Sequence, residues 1–204
     1  MNRLSQSLCS EPRQQFSNVT LYSLVRLTLL WATALLGACA TVETVPPGPA
    51  FELAGRIAVR YQDRAFSSAL RWKHDGAADE IWLTSPLGQT LAYLQSDTDG
   101  ATLTGSDKKE YRASSIDSLV RSAFGWRFPV ADLRYWVVGE AVPGPQPVLL
   151  ERDPAQRINK LEQGDWQVAF NYATADAQRP ARLTVNGNDA EIRLVIDSLT
   201  LVQQ

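Results

Sequence analysis

Histidine occurs once and cysteine twice in the 204 residues, which leaves little from which to build a metal or nucleophilic centre. His74 sits beside Asp75-Gly76, a hairpin-turn signal, and an ordinary polar turn residue is expected there. There is no Cys/His cluster and no glycine-rich loop to cradle phosphate, so neither a metal, a cofactor nor nucleotide hydrolysis is called for. Basic excess is also missing. With 20 basic and 22 acidic side chains the chain offers no surface suited to nucleic acid. Carboxylates are scattered; Asp79-Glu80, Glu162 and Asp165 could pair only through folding, which leaves an acid/base hydrolase open without promoting it. No repeat and no low-complexity segment occurs.

One segment stands apart from this plain composition. Residues 24–36 form an apolar run with a single charge, Arg26, near its start, and the run closes on Leu36-Gly37-Ala38-Cys39. Such a run is short of the ~20 residues that span a bilayer, and small residues ahead of a cysteine are the order a lipoprotein signal peptidase reads. The expectation is a signal peptide over residues 1–38, with Cys39 becoming the first residue and carrying a diacylglycerol on its thiol and a third acyl chain on its amine. At ~0.8 kcal/mol per buried methylene, several chains anchor a protein effectively permanently. Ala40 follows, where an aspartate would favour retention in the inner membrane, so the outer membrane is favoured.

Removing 38 of the 204 residues leaves 166, enough for one domain with a real core. The leader takes three of the 20 basic residues and one of the 22 acidic ones, so the mature part holds 17 and 21, a net of −4. Cys9 leaves with the leader and Cys39 is acylated, so the domain is expected to fold without a disulfide.

Residues 39–50 contain Pro46, Pro47, Gly48 and Pro49 and read as an extended tether; the domain itself is expected over residues 51–204. From Phe51 onward the pattern has period two. Ile57, Val59 and Tyr61 alternate with Ala58 and Arg60, and Phe66, Leu70 and Trp72 share a face opposite Arg71 and Lys73. Further strands are expected over residues 80–84, 90–95, 101–105 and 108–113, with Asp75-Gly76 and Asp99-Gly100 among the turns. Ser114 then reads as a helix N-cap with Asp117 three residues on, and Ile116, Leu119, Val120 and Phe124 fall at helical spacing before Gly125. A second short helix is expected from near Pro129 to before Gly139, with Leu133, Trp136 and Val137 on one stripe. Beyond a proline-rich link at 143–147, strands resume over residues 157–163, 165–172, 182–185 and 191–197.

Many strands with only two short helices cannot make a doubly wound fold; the helices must cover one face or mouth of a curved sheet. The fold class expected is mainly β with short helices, an open antiparallel β-barrel under a helical lid. Such a barrel encloses either an apolar cavity or a solidly packed core containing Trp72, Trp136 and Trp166, and periodicity leaves both open. Between two strands, Ser85-Pro86-Leu87-Gly88 suits a type I turn with Leu87 on its outer tip. Burying that leucine in lipid is worth roughly 1.5–3 kcal/mol, whereas a lone exposed leucine of no consequence is ordinary on any surface. Both readings stand at this point.

Taken in order, the lipobox at Cys39, Gly55-Arg56-Ile57-Ala58-Val59, Leu70-Arg71-Trp72, Ser85-Pro86-Leu87-Gly88-Gln89-Thr90, Phe128-Pro129-Val130 leading to Leu133 and Trp136-Val137-Val138-Gly139, Gly164-Asp165-Trp166, and Arg182-Leu183 followed by residues 192–197 resemble the LolB family across almost the whole mature chain. One departure is Ser198-Leu199, where the family often has a tryptophan; Leu199 is expected to fill that place. The resemblance implies an outer-membrane, lipid-anchored, periplasm-facing receptor of a Gram-negative bacterium. It would take lipoproteins from the periplasmic carrier LolA and insert them into the inner leaflet of the outer membrane without hydrolysing nucleotide. It implies a monomer with no cofactor, whose partners are the carrier, lipidated cargo and membrane phospholipid. Leu87, flanked by Pro86 and Gly88, inherits a membrane-insertion role by matching position. Candidate cavity residues are Phe66, Leu70, Trp72, Leu83, Leu91, Tyr93, Leu133, Trp136, Val137, Trp166, Val168 and Phe170. A lipid-anchored envelope hydrolase and a purely structural lipoprotein are the alternatives.

Overall fold

A computed structural model describes residues 48–202, so the lipobox, Cys39 and most of the tether fall outside the described residues. The chain runs β1 (Phe51–Tyr61), β2 (Arg64–His74), β3 (Asp79–Thr84), β4 (Thr90–Asp97), β5 (Gly100–Gly105) and β6 (Glu110–Ala113). It then passes through helices α1 (Ile116–Phe124) and α2 (Val130–Trp136) and resumes with β7 (Leu149–Arg152), β8 (Ile158–Gln163), β9 (Trp166–Asn171), β10 (Arg182–Gly187) and β11 (Ala190–Leu201). All eleven strands join one sheet in the order β6-β5-β4-β3-β2-β1-β11-β10-β9-β8-β7. Strands adjacent in this order all pair antiparallel, and β11 returns to pair with β1 in the middle. The helices lie in the connection between the two edge strands, β6 and β7, so the barrel is open and lidded.

Alternation builds the sheet's inner face. Along β2, Ser68, Leu70, Trp72 and His74 are buried while Arg71 and Lys73 are exposed. Phe51, Leu53 and Ile57 of β1 and Ile192 and Leu194 of β11 continue the same buried layer. The central pair bends where the register shifts between Ala54 and Gly55. A Cβ on Gly55 would stand 2.1 Å from the Val195 carbonyl oxygen, so only glycine fits this bulge. Leu199 is partly buried and packs on the core, as expected of the position.

Several local expectations are corrected. Ser115, not Ser114, caps α1, its hydroxyl accepting the Ser118 N–H at 3.2 Å; two adjacent serines are indistinguishable by residue type. Asp117 instead reaches out of α1 to accept the Val130 N–H at 3.1 Å, so one lid helix caps the other. α1 ends on Gly125 at φ 81°, whose N–H bonds to the Arg121 carbonyl at 2.9 Å. Strand β7 was not anticipated, because a four-residue edge segment behind a proline-rich link has too few residues to show a period. Residues 48–50 are not free tether. Gly48 and Ala50 are buried, and a Cβ on Gly48 would lie 3.0 Å from Arg134 Cβ, so the chain is already packed against α2 before β1 begins.

Candidate functional site

The inner face of β1 to β5, with β11, and the underside of the lid enclose a cavity of about 760 Å³. An engineered apolar void of ~150 Å³ stays dry and takes up benzene, so this space is several times what one small hydrocarbon needs. The sheet supplies Ile57, Val59, Phe66, Leu70, Trp72, Ile81, Leu83, Leu94, Leu103, Ile192 and Leu194; α1 supplies Val120, Ala123 and Phe124; α2 supplies Val130 and Leu133. Among the described residues Asp63 and Arg64 bring the only charges to the lining, one in the β1–β2 turn and the other at the start of β2. In an antiparallel meander the β1–β2 and β3–β4 turns emerge at the same end. That end is the mouth, where Phe66 and Phe124 are 43% and 46% exposed.

Of the residues singled out from sequence, Phe66, Leu70, Trp72, Leu83, Leu91 and Leu133 line this space. Tyr93, Trp136, Val137, Trp166, Val168 and Phe170 are not among its lining residues. Tyr93 points outward because Leu91 is an extra residue in β4: Leu83 pairs with Ala92 and Thr84 with Thr90, and the slip moves Tyr93 to the other face. Trp136, Val137, Trp166, Val168 and Phe170 are fully buried in solid packing between α2, its C-terminal end and the β8–β10 half of the sheet. The apolar cavity therefore lies against the β1–β5 half of the sheet, while the inward residues of β8–β10 belong to the buried core.

At the closed end lies a buried polar cluster that sequence reasoning missed. His74 is 1% exposed rather than a turn residue at the surface. Its Nδ1 lies 3.0 Å from Asp79 Oδ1, which also accepts the Trp72 indole N–H at 2.9 Å. Asp79 Oδ2 accepts from Ser96 Oγ at 3.0 Å and from the guanidinium of Arg134 on α2. Phe51 covers the cluster, its ring 5.1 Å from that of Trp72 and 5.6 Å from His74. The register sets His74 directly opposite Asp79 across the turn, a pairing that residue type does not reveal. At the mouth the lid is held differently: Trp126, between the helices, stacks on Tyr61 at 5.4 Å and meets Phe128 edge-on at 5.4 Å. The lid is thus latched by charge at one end and by aromatic contact at the other.

These environments set two opposite pH responses. Burial pushes the Asp79 carboxyl up, but the His74 hydrogen bond and the Arg134 charge and hydrogen bond outweigh it, leaving a pKa of about 2. A carboxylate depressed from ~3.9 stabilises the fold above that value and loses the contribution as pH falls toward 2, roughly 2–3 kcal/mol in all. Asp132, on the first turn of α2, is raised to about 6 by burial, with the nearby Asp117 charge adding to it. Burial likewise raises Asp117, against the N–H groups of Ala131 and Val130. For Asp132 the sign reverses: its contribution is present below ~4 and lost as pH rises through 6, on the order of 1–2 kcal/mol after screening. Urea denaturation at pH 5 and pH 8 should therefore show Asp132→Asn flattening the decline seen in the parent protein; an unchanged slope would assign the decline elsewhere.

The β3–β4 turn projects from the same end as the mouth. The Gly88 N–H bonds to the Ser85 carbonyl at 2.9 Å and the Ser85 N–H to the Gln89 carbonyl at 2.8 Å. Gly88 sits at φ 80°, a left-handed conformation that glycine adopts without cost. Leu87 is 88% exposed at the tip, the most exposed of the large apolar residues among those described. Four residues on, Leu91 reaches the cavity lining, so tip and mouth are continuous along one strand.

The family model described as "Outer membrane lipoprotein LolB" matches residues 49–198. An outer-membrane lipoprotein LolB of Thiobacillus denitrificans is 36% identical over 178 residues, covering 84% of this chain and 93% of that protein. Another from Azoarcus sp. is 36% identical over 186 residues, with 84% and 93% covered. A solved LolA superfamily protein from Nitrosomonas europaea superposes with a TM-score of 0.48 at 13% identity, covering 78% of this chain and 88% of that one. With the family model spanning nearly all of the lidded sheet, and relatives above 30% identity matched along most of their length, this chain belongs to the outer-membrane lipoprotein LolB family.

Proposed function

We propose that the chain is an outer-membrane receptor in lipoprotein localisation which takes lipidated proteins from a LolA-type carrier and delivers them to the periplasm-facing phospholipid leaflet. The observation that carries this reading is a lidded apolar cavity whose mouth opens beside an exposed leucine turn. Each methylene left in water costs ~0.8 kcal/mol, so one long acyl chain amounts to on the order of 10 kcal/mol and needs an apolar sleeve throughout its passage. Transfer between two sleeves needs no chemistry from the chain: a preference of about 1.4 kcal/mol for the acceptor moves the equilibrium tenfold. The chain acts as a monomer held by acylated Cys39, and the cavity takes the cargo's acyl chains while its protein part stays outside. Phe66, Leu70, Trp72, Leu83, Leu91 and Leu133 make contact with those chains.

The test mixes cargo-loaded carrier with the acylated protein in phospholipid vesicles and follows where cargo collects. Cargo that stays wholly on the carrier would count against the reading. Ala123→Trp sharpens the test, because Ala123 faces the void from α1 and an indole there fills space without displacing a packed neighbour. Capture should fall about tenfold, equivalent to roughly 1.4 kcal/mol, with little change in melting temperature. Equal capture by both proteins would mean that acyl chains bind somewhere else.

A further inference from the structure

The β3–β4 hairpin has no charged side chain anywhere from Ile81 to Ser96, although 21% of the chain is charged. Its inward residues line the cavity, while Trp82 and Tyr93 project from the opposite face and are partly exposed. They are direct cross-strand partners, with stacked rings 5.1 Å apart. Arg71 occupies the same rung on β2 and holds its guanidinium carbon 5.6 Å from the centre of the Trp82 ring. From Trp82 to Ser85, where the turn begins, is three residues, about 10 Å at ~3.3 Å per residue. Along the hairpin itself, charges return only on the far side of the rung, with Glu80 and Asp97.

Three properties therefore coincide at one level of the hairpin: an uncharged arm on the side of Leu87, an aromatic pair, and a cation laid over it. A bilayer is graded in the same order. Its hydrocarbon penalises charge, its interface concentrates tryptophan and tyrosine, and its phosphates sit just outside. A guanidinium over an indole keeps its charge and several donors free for phosphate oxygens. We propose that the Arg71–Trp82–Tyr93 rung is a seat for phospholipid headgroups that sets how deeply Leu87 enters the membrane. This rests on the reading that the Leu87 turn touches the bilayer and adds to it the surface that limits and orients the contact.

The test uses the full acylated protein in vesicles of phosphatidylethanolamine and phosphatidylglycerol, with an environment-sensitive fluorophore on a single introduced cysteine. Leu87→Cys reports the tip; Thr104→Cys, next to Tyr93 on the same rung, reports the seat and leaves all three seat residues in place. Quenching should be at least twofold stronger from a mid-chain nitroxide at 87 and at least twofold stronger from a headgroup nitroxide at 104. In a second set, Trp82→Thr with Tyr93→Thr, both favourable on a strand, should shift the mid-chain quenching at 87 by at least twofold. Quenching at 87 with none at 104 overturns the seat and leaves the turn's role standing; no quenching at 87 removes the underlying reading. Protection at 104 that appears only when carrier is added assigns the rung to a protein partner and also overturns the proposal.

Discussion

Asp79→Asn is expected to lower the stability of the folded domain by about 3–5 kcal/mol, the loss that follows when one partner of a buried ion pair is removed. The carboxylate accepts from the Trp72 indole, His74, Ser96 and Arg134, and its side chain is fully buried. An amide of the same shape offers one oxygen and turns its NH2 group toward other donors, so at least one of these groups loses its partner and the guanidinium loses its counter-charge. For a domain of this size each kcal/mol corresponds to roughly 2–4 °C, so the melting temperature should drop by roughly 10 °C. Urea midpoints give the same quantity independently, and a loss under about 1 kcal/mol would show that solvent compensates the site. Adding Arg134→Met to Asp79→Asn should recover part of the loss, because it removes the stranded charge while keeping the aliphatic stem packed beside Gly48. The double variant separates a polar latch, which recovers, from a general packing defect, which does not.

That this cluster escaped the sequence reading has a physical cause. A histidine next to Asp75-Gly76 has turn chemistry, and the turn is real: the Ala77 and Ala78 N–H groups bond to Asp75 Oδ1 at 3.1 and 2.8 Å. What residue type does not reveal is that His74 is the last inward residue of β2 and that the segment before β1 lies over it. Burial of a polar side chain is decided by a partner far along the chain, here Arg134 on α2, and no local pattern carries that information. The strands were legible because their alternation is local: β1, β2 and β9 appear where Ile57, Val59, Leu70, Trp72, Val168 and Phe170 alternate with polar neighbours. Legibility failed at the bulge. A single extra residue, Leu91, reverses the parity of β4 on either side of it, so Leu91 and Tyr93, which read as one face, lie on opposite ones.

The cavity was half legible for the same reason. Alternation separates inside from outside, so Leu70, Trp72 and Leu83 were placed on the inner face. It does not separate hollow from packed, because Trp166, Val168 and Phe170 alternate just as cleanly and pack solidly. The difference arises from what stands opposite. Over the β1–β5 half stand Val120, Ala123, Phe124, Val130 and Leu133 with open space between them and the sheet, whereas Trp136, Val137 and Val138 are buried in the core cluster with Trp166, Val168 and Phe170. The stacked Trp126 and Tyr61 line the same cavity at its mouth.

Leu87→Glu should leave folding and cargo capture intact while reducing incorporation of cargo into membranes by at least tenfold. The side chain is 88% exposed, and the turn's backbone bonds, Gly88 to Ser85 and Ser85 to Gln89, do not involve it. A surface change of this kind alters stability by no more than about 0.5 kcal/mol. At the membrane the balance differs greatly. Losing the leucine forfeits roughly 1.5–3 kcal/mol of lipid burial, and a carboxylate at hydrocarbon depth adds a penalty on the order of 3 kcal/mol. Together these suppress the inserted state of the turn by about three to four powers of ten, at about 1.4 kcal/mol per tenfold. Only part of that need appear in the overall rate, since acyl chains leaving the cavity mouth would still meet lipid by diffusion of the tethered domain. The distinguishing result is an accumulation: carrier should be emptied at the normal rate while cargo builds up on the variant, and Leu87→Phe should behave like the parent. Incorporation at the normal rate by Leu87→Glu would mean that the turn is an ordinary exposed loop and that release is governed by the lid.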